Sequence, residues 1–120
     1  MAANPHRGDV TISLKHKGKT ADYVLRPTWQ AMAEIEQATG QGFITLLRKA
    51  ATGGMGLSET AAVVTAGLRA SGEAGAKGTT VAAMIFETGI ANVIAAINPF
   101  LINAMNGGEP PGEAKAADEN

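Results

Sequence analysis

Val10-Thr-Ile-Ser-Leu-Lys-His-Lys-Gly-Lys-Thr-Ala-Asp-Tyr-Val-Leu25 is the stretch that decides the fold. Val10, Ile12 and Leu14 alternate with Thr11, Ser13 and Lys15, the period of a half-buried strand. A second alternation runs through Ala21, Tyr23 and Leu25. A two-residue turn at Lys17-Gly18, with glycine supplying the unusual backbone angles, sets Leu14 opposite Ala21, Ile12 opposite Tyr23 and Val10 opposite Leu25. All six then share one face, and a slip of one residue would scatter them. A lone hairpin is barely stable in water, so the rest of the chain must cover this face.

The chain beyond the hairpin reads as helix. Pro27 ends the second strand, and Thr28 is placed to cap a helix running to about Thr39 and stopped by Gly40. Trp29, Met32, Ala33 and Ile35 form its expected apolar stripe, with Glu34 and Glu36 on an acidic side. A second helix is expected from about Gly42 to Thr52, broken by the cluster Gly53-Gly54-Met55-Gly56. A third starts at Leu57-Ser58, with Ser58 as cap and Leu57 packing back, and ends near Ser71-Gly72. A glycine-rich, mobile loop is expected from Gly72 to Gly78. The last helical region runs from Thr79 or Thr80 to about Asn106, with Gly89 as a candidate split. Its expected core side is Ile90, Val93, Ile94, Ile97, Leu101 and Met105. Pro99 either kinks this helix on its outer face or starts a new one capped by Asn98. The expected class is therefore α+β. One antiparallel hairpin (about 9–26) packs on four or five helices (about 28–106), making a single domain over 1–106. A disordered acidic tail is expected over 107–120.

Composition bounds the rest. The 120 residues suit one domain with a modest core. With one tryptophan, one tyrosine and three phenylalanines, the core must be built from close-packed small residues. There are no cysteines, which excludes disulfides and thiolate metal sites and is compatible with a cytoplasmic location. A net charge of -1 gives no electrostatic basis for nucleic acid, and the basic residues form no dense stripe. Met1 to Asp9 holds no apolar run that would read as a secretory signal. The uncharged stretch from Thr88 to Gly108 has membrane-like length, but its asparagines and Pro99 argue against a span.

No catalytic or cofactor constellation emerges, and no enzyme, metal or cofactor role is expected. His6 and His16 lack converging partners, and Glu34 and Glu36 do not face each other on a helix. The loop Gly72–Thr80 contains the parts of a phosphate-binding loop in the wrong order, because Lys77 precedes Gly78 and a helix precedes the loop. The most informative feature is the outer face of the last helix. Asn92, Ala96, Pro99, Asn103 and Asn106 share it without a charge, so desolvating it strips water from no ion. These five residues are the candidate partner-binding face, for another protein or for another copy of this chain.

Several segments carry a resemblance. N-P-H-R-G-D-V at Asn4 to Val10, L-R-P-T at Leu25 to Thr28, A-x-A-E-I-E at Ala31 to Glu36, Thr39-Gly40, and A-A-V-V-x-A-G-L-R-A at Ala61 to Ala70 come one after another in order. Together they resemble the tail-assembly chaperone family of gene transfer agents and long-tailed phages, a family also labelled tail tube protein. The resemblance implies a protein that holds the helical tape-measure protein in solution and recruits tail tube subunits in the host cytoplasm. The alternative it leaves is a structural component of the tail, as tube or completion protein. A small regulatory nucleic-acid-binding protein is the remote third class. A tube subunit usually needs a large sheet to close a ring, and this chain offers one hairpin. Alanine-rich helices suit a groove for helical clients instead.

Overall fold

The computed structural model describes residues 3–110. The described residues form a 3-10 turn at Pro5–Arg7, strands β1 (Val10–His16) and β2 (Lys19–Leu25), and helices α1 (Trp29–Thr39), α2 (Phe43–Thr52), α3 (Leu57–Ala70), α4 (Gly78–Thr88) and α5 (Ile90–Met105). The fold is α+β. The ten residues from 111 onward, most of the expected acidic tail, lie outside the described residues.

β1 and β2 pair antiparallel in the register read from the alternation, with Val10 opposite Leu25, Ile12 opposite Tyr23 and Leu14 opposite Ala21. Lys17 and Gly18 both have positive φ (52° and 79°), the geometry of a two-residue turn that matches the strand twist. The inner face of the ribbon lies against α3, α4 and α5, and Ile12, Leu14 and Leu25 are buried there.

The tightest point of the core is Gly67. A Cβ there would lie 2.9 Å from Leu25 Cβ and 3.1 Å from Phe100 Cε1 and Cζ. β2, α3 and α5 therefore meet where α3 has no side chain. The carbonyl of Gly67 also accepts the N–H of Arg26 at 3.1 Å, extending the hold of α3 on the end of β2.

The helix boundaries arise from local chemistry. Thr28 Oγ1 accepts the Ala31 N–H at 3.0 Å, and Gly40 in left-handed geometry ends α1. The start of α3 differs from expectation. Its cap is Gly56, whose N–H donates to Glu59 Oε1 at 2.8 Å, while Leu57 and Ser58 already lie inside the helix. Met55, just before the cap, is the buried apolar residue at this corner, and Leu57 faces outward. The glutamate side chain supplies what the sequence assigned to the serine.

The last region is two helices. Gly89 (φ 102°) separates α4 from α5 at a bend of 115°. No single helix among the described residues is long and apolar enough to cross a membrane. Pro99 lies within α5 and is exposed, so the helix runs through it and Asn98 caps nothing new. The core side of α5 is rotated from the expected one. Val93, Ile97, Phe100 and Leu101 are buried, Ile90 and Ile94 are half-buried, and Met105 is half-exposed. Phe100, which fills the space over Gly67, belongs to this face and Met105 does not.

The loop before α4 is fastened more than its composition implies. Arg69 Nε and Nη2 donate to the carbonyl of Ala76 at 3.0 and 2.8 Å, and Arg69 also pairs with Glu34 on α1. Lys77 is simply the N-cap residue just before α4, and its side chain makes no capping bond.

Glu59 ties α3 to α2 and to the connection between α1 and α2. It accepts from Lys49 Nζ at 2.7 Å, from the Gly56 N–H and from Gln41 Nε2, and these bonds hold its carboxyl down at about 2. A carboxyl lowered from 4.5 contributes stability that is fully present above about pH 4.5 and is lost as pH falls toward about 2. Glu59→Gln is expected to cost about 2 kcal/mol at neutral pH and to flatten the acid limb of a stability–pH curve measured by urea unfolding. Gly67→Ala is expected to cost about 1–3 kcal/mol by overpacking, read as a lowered urea midpoint. Gly54→Ala, where the nearest atom to a Cβ is 3.8 Å away, should change the midpoint little.

Candidate partner-binding surface

The segment before β1 is buckled onto the body by a buried ion pair. Arg26, at the end of β2, donates from Nε to Asp9 Oδ1 at 2.9 Å and from Nη2 to Oδ2 at 2.7 Å. The Asn4 N–H adds a third bond to Asp9 Oδ2 at 2.8 Å. Burial alone would push the Asp9 carboxyl up, but the Arg26 and Asn4 bonds and the charges of Arg26 and Arg7 outweigh it and leave it lowered. Arg26 is correspondingly raised, chiefly by its hydrogen bond to Asp9. Such a two-pronged pair fixes orientation as well as distance.

This buckle decides what happens to the expected binding face of α5. Asn103 is only 9% exposed, because the chain at Gly8 lies across it. Its Nδ2 donates to the Gly8 carbonyl at 3.1 Å, and its own carbonyl accepts the Gly108 N–H at 2.9 Å. Gly8 itself (φ 76°) has no room for a side chain, since a Cβ would meet Gly108 O at 2.6 Å. Asn103 is thus a clamp between the two ends of the fold, a correction to its placement on an open face. Ala96 is half-buried against the core. Asn92, Pro99 and Asn106 remain exposed, with the Asn92 and Asn106 amides turned back onto the carbonyls of Thr88 and Ile102. The five residues do not form one continuous exposed stripe.

Large apolar side chains are exposed elsewhere, at Phe86 on α4, Ile44 on α2 and Trp29 at the start of α1, and of these Trp29 borders a groove. Trp29 is 76% exposed, although the sequence placed it in the buried stripe. At about 100° per residue, Ala31, Met32 and Ile35 span one arc, and Trp29 falls roughly 110° from its centre. That offset was the signal in the sequence, and the general expectation that tryptophan is buried concealed it. Beside Trp29 lies an open groove of about 640 Å³ whose apolar lining is Pro27, Met32, Ala33, Phe43 and Ala104. His6, Arg7 and Arg26 stand on its side toward the buckle, and Glu36 and Glu109 are also at its wall. Glu36 Oε2 accepts the N–H of Phe43 at 3.0 Å and so steadies the α1–α2 corner.

No group of three or more His, Asp or Glu side chains that could hold a metal occurs among the described residues. His16 sits beside the turn, away from the groove that His6 lines. The surface is a concave apolar patch with mixed charges at its rim.

Residues 14–107 match the family described as "Phage tail tube protein, GTA-gp10". The chain belongs to that phage tail family. The matched segment runs from β1 through the end of α5, so it covers the hairpin turn, every helix and the Gly67 junction. No curated protein and no solved structure matches the chain. The family supports a structural role in the phage tail, which was the alternative drawn from the sequence.

Because Trp29 is the single tryptophan, its emission reports on this surface alone. Native protein is expected to emit close to free tryptophan in water and to be quenched readily by acrylamide. A blue-shifted, poorly quenched native spectrum would contradict the exposed placement.

Proposed function

We propose that this tail-family chain acts during tail assembly by binding other tail proteins, as a chaperone of the helical tape-measure protein that also helps recruit tube subunits. The observation carrying this reading is the exposed Trp29 beside an apolar groove between helices. A helix laid in such a groove buries apolar side chains of its own and gains from a large aromatic anchor. The two-stranded sheet argues in the same direction, since closing a tube wall needs more strands than the described residues contain.

A second reading has its own support. The family description is that of a tail tube protein, which favours a component retained in the tail. Under that reading the same groove is a permanent contact between tail subunits, including copies of this chain.

Co-expression with the tape-measure protein of the same gene cluster, with pull-down and a solubility assay, tests the proposal. Wild-type chain is expected to keep the tape measure soluble and to co-purify with it. Trp29→Lys should reduce co-purification at least ten-fold while leaving the thermal midpoint within a few degrees, as expected for an exposed side chain. Full co-purification by Trp29→Lys would remove the groove from the interaction. No tape-measure binding by the wild type would sink the chaperone reading.

A further inference from the structure

The fold closes the β1 edge of the hairpin beside the turn and leaves the β2 edge open from Thr20 to Val24. His16 and Lys19 flank the two-residue turn, so alternate residues from there point their backbone groups away from the partner strand. On β1 the outward N–H of Lys15 ends on Thr88 Oγ1 at 2.7 Å. The turn N–H groups of Lys17 and Gly18 end on the Glu87 carboxylate at 2.9 and 2.8 Å. The end of α4 therefore closes the β1 edge beside the turn. On β2 the outward residues are Thr20, Asp22 and Val24, and their backbone groups make no hydrogen bond within the described residues. β2 also overhangs the body, because Ala21 is exposed while Leu14 opposite it is buried. Beside Tyr23 opens a groove of about 430 Å³, with Leu68, Val81 and Met84 in its lining.

We propose that β2 accepts an extended strand from another tail protein, hydrogen-bonded at Thr20, Asp22 and Val24 and placing an apolar side chain in the groove beside Tyr23. This deepens, and rests on, the reading that the chain binds other tail proteins. Alternating outward N–H and C=O groups are matched only by another extended backbone. Charge selects the occupant further. Asp22 is the one acidic residue between Val10 and Leu25, so a lysine or arginine belongs opposite it. Lys17 and Lys19 at the turn favour an acidic residue where the added strand passes them. A second copy of β2 fits poorly. Two-fold pairing centred on Asp22 opposes two carboxylates, and pairing centred on Ala21 sets Lys19 against Tyr23 and leaves the groove unfilled. Pairing centred on Tyr23 needs the edge beyond Val24, where the Arg26 N–H is already bound to Gly67.

Proline at an outward position removes an edge donor and spares the cross-strand ladder. Asp22→Pro is therefore the test, with Thr20→Pro as a second edge variant and Ser13→Pro as the matched change on the β1 side. Full-length chain would be assayed against the tape-measure and tube proteins of the same gene cluster. The edge variants are expected to bind at least ten-fold more weakly, and Ser13→Pro to bind as wild type. In wild-type chain, binding should slow amide exchange at Thr20, Asp22 and Val24. Unchanged exchange at those three amides in a complex that does form overturns the strand proposal and leaves the tail-binding reading standing, whether or not the proline variants fold. If neither protein binds, the tail-binding reading fails separately. Peptides of about 8 residues tiled across both proteins then decide the strand proposal: protection of the three amides by any peptide supports it, and protection by none overturns it. Wild-type affinity in a folded Asp22→Pro chain also overturns it, and association of the chain with itself through these amides would replace the tail partner with a second copy.

Discussion

The structure depends on the close approach at Gly67. A two-stranded ribbon has no stability of its own, and this one is held because Leu25 reaches the backbone of α3 where no side chain intervenes. Phe100 arrives at the same point from α5 and covers it. The Arg26 N–H on the Gly67 carbonyl then fixes where β2 ends, which sets where Pro27 turns the chain and where Thr28 starts α1. One missing methyl group thus positions the hairpin, the first helix and the last helix together.

The Asp9–Arg26 pair carries that constraint outward. It anchors the first residues beside the end of β2, and those residues cover Asn103 and meet Gly108. The groove beside Trp29 lies between this buckle and the α1–α2 corner. Its walls come from well-fastened elements, so the partner proposed for it would meet a surface already shaped, at less cost in ordering. The ion pair is therefore a positioning device whose consequence appears at the groove rim.

Much of this was legible in the sequence. The alternation from Val10 to Leu25 gave the register because only one pairing puts six apolar side chains on one face. Thr28, Gly40 and Gly53 marked helix ends through capping chemistry that acts within a few residues. The misreadings have a common cause in contacts distant in sequence. Asn103 is buried by Gly8, 95 residues away, and no helical projection contains that neighbour. Glu59 reaches back to Gly56 and across to Lys49, so the cap expected of Ser58 came from a longer side chain. Trp29 was the exception, since its offset from the buried arc of α1 was present in the sequence. The α+β class was read correctly, while the exposure of individual side chains on α1 and α5 was not.

The chain belongs to a phage tail family, and the exposed aromatic groove is the feature from which an assembly role is proposed. Quantitative mass spectrometry of purified tails beside assembly intermediates from the same lysate tests that most directly. An assembly role predicts this chain in complexes containing the tape-measure protein and its absence from finished tails. Finding it in finished tails at the copy number of a ring-forming subunit would contradict that role and establish a retained structural component.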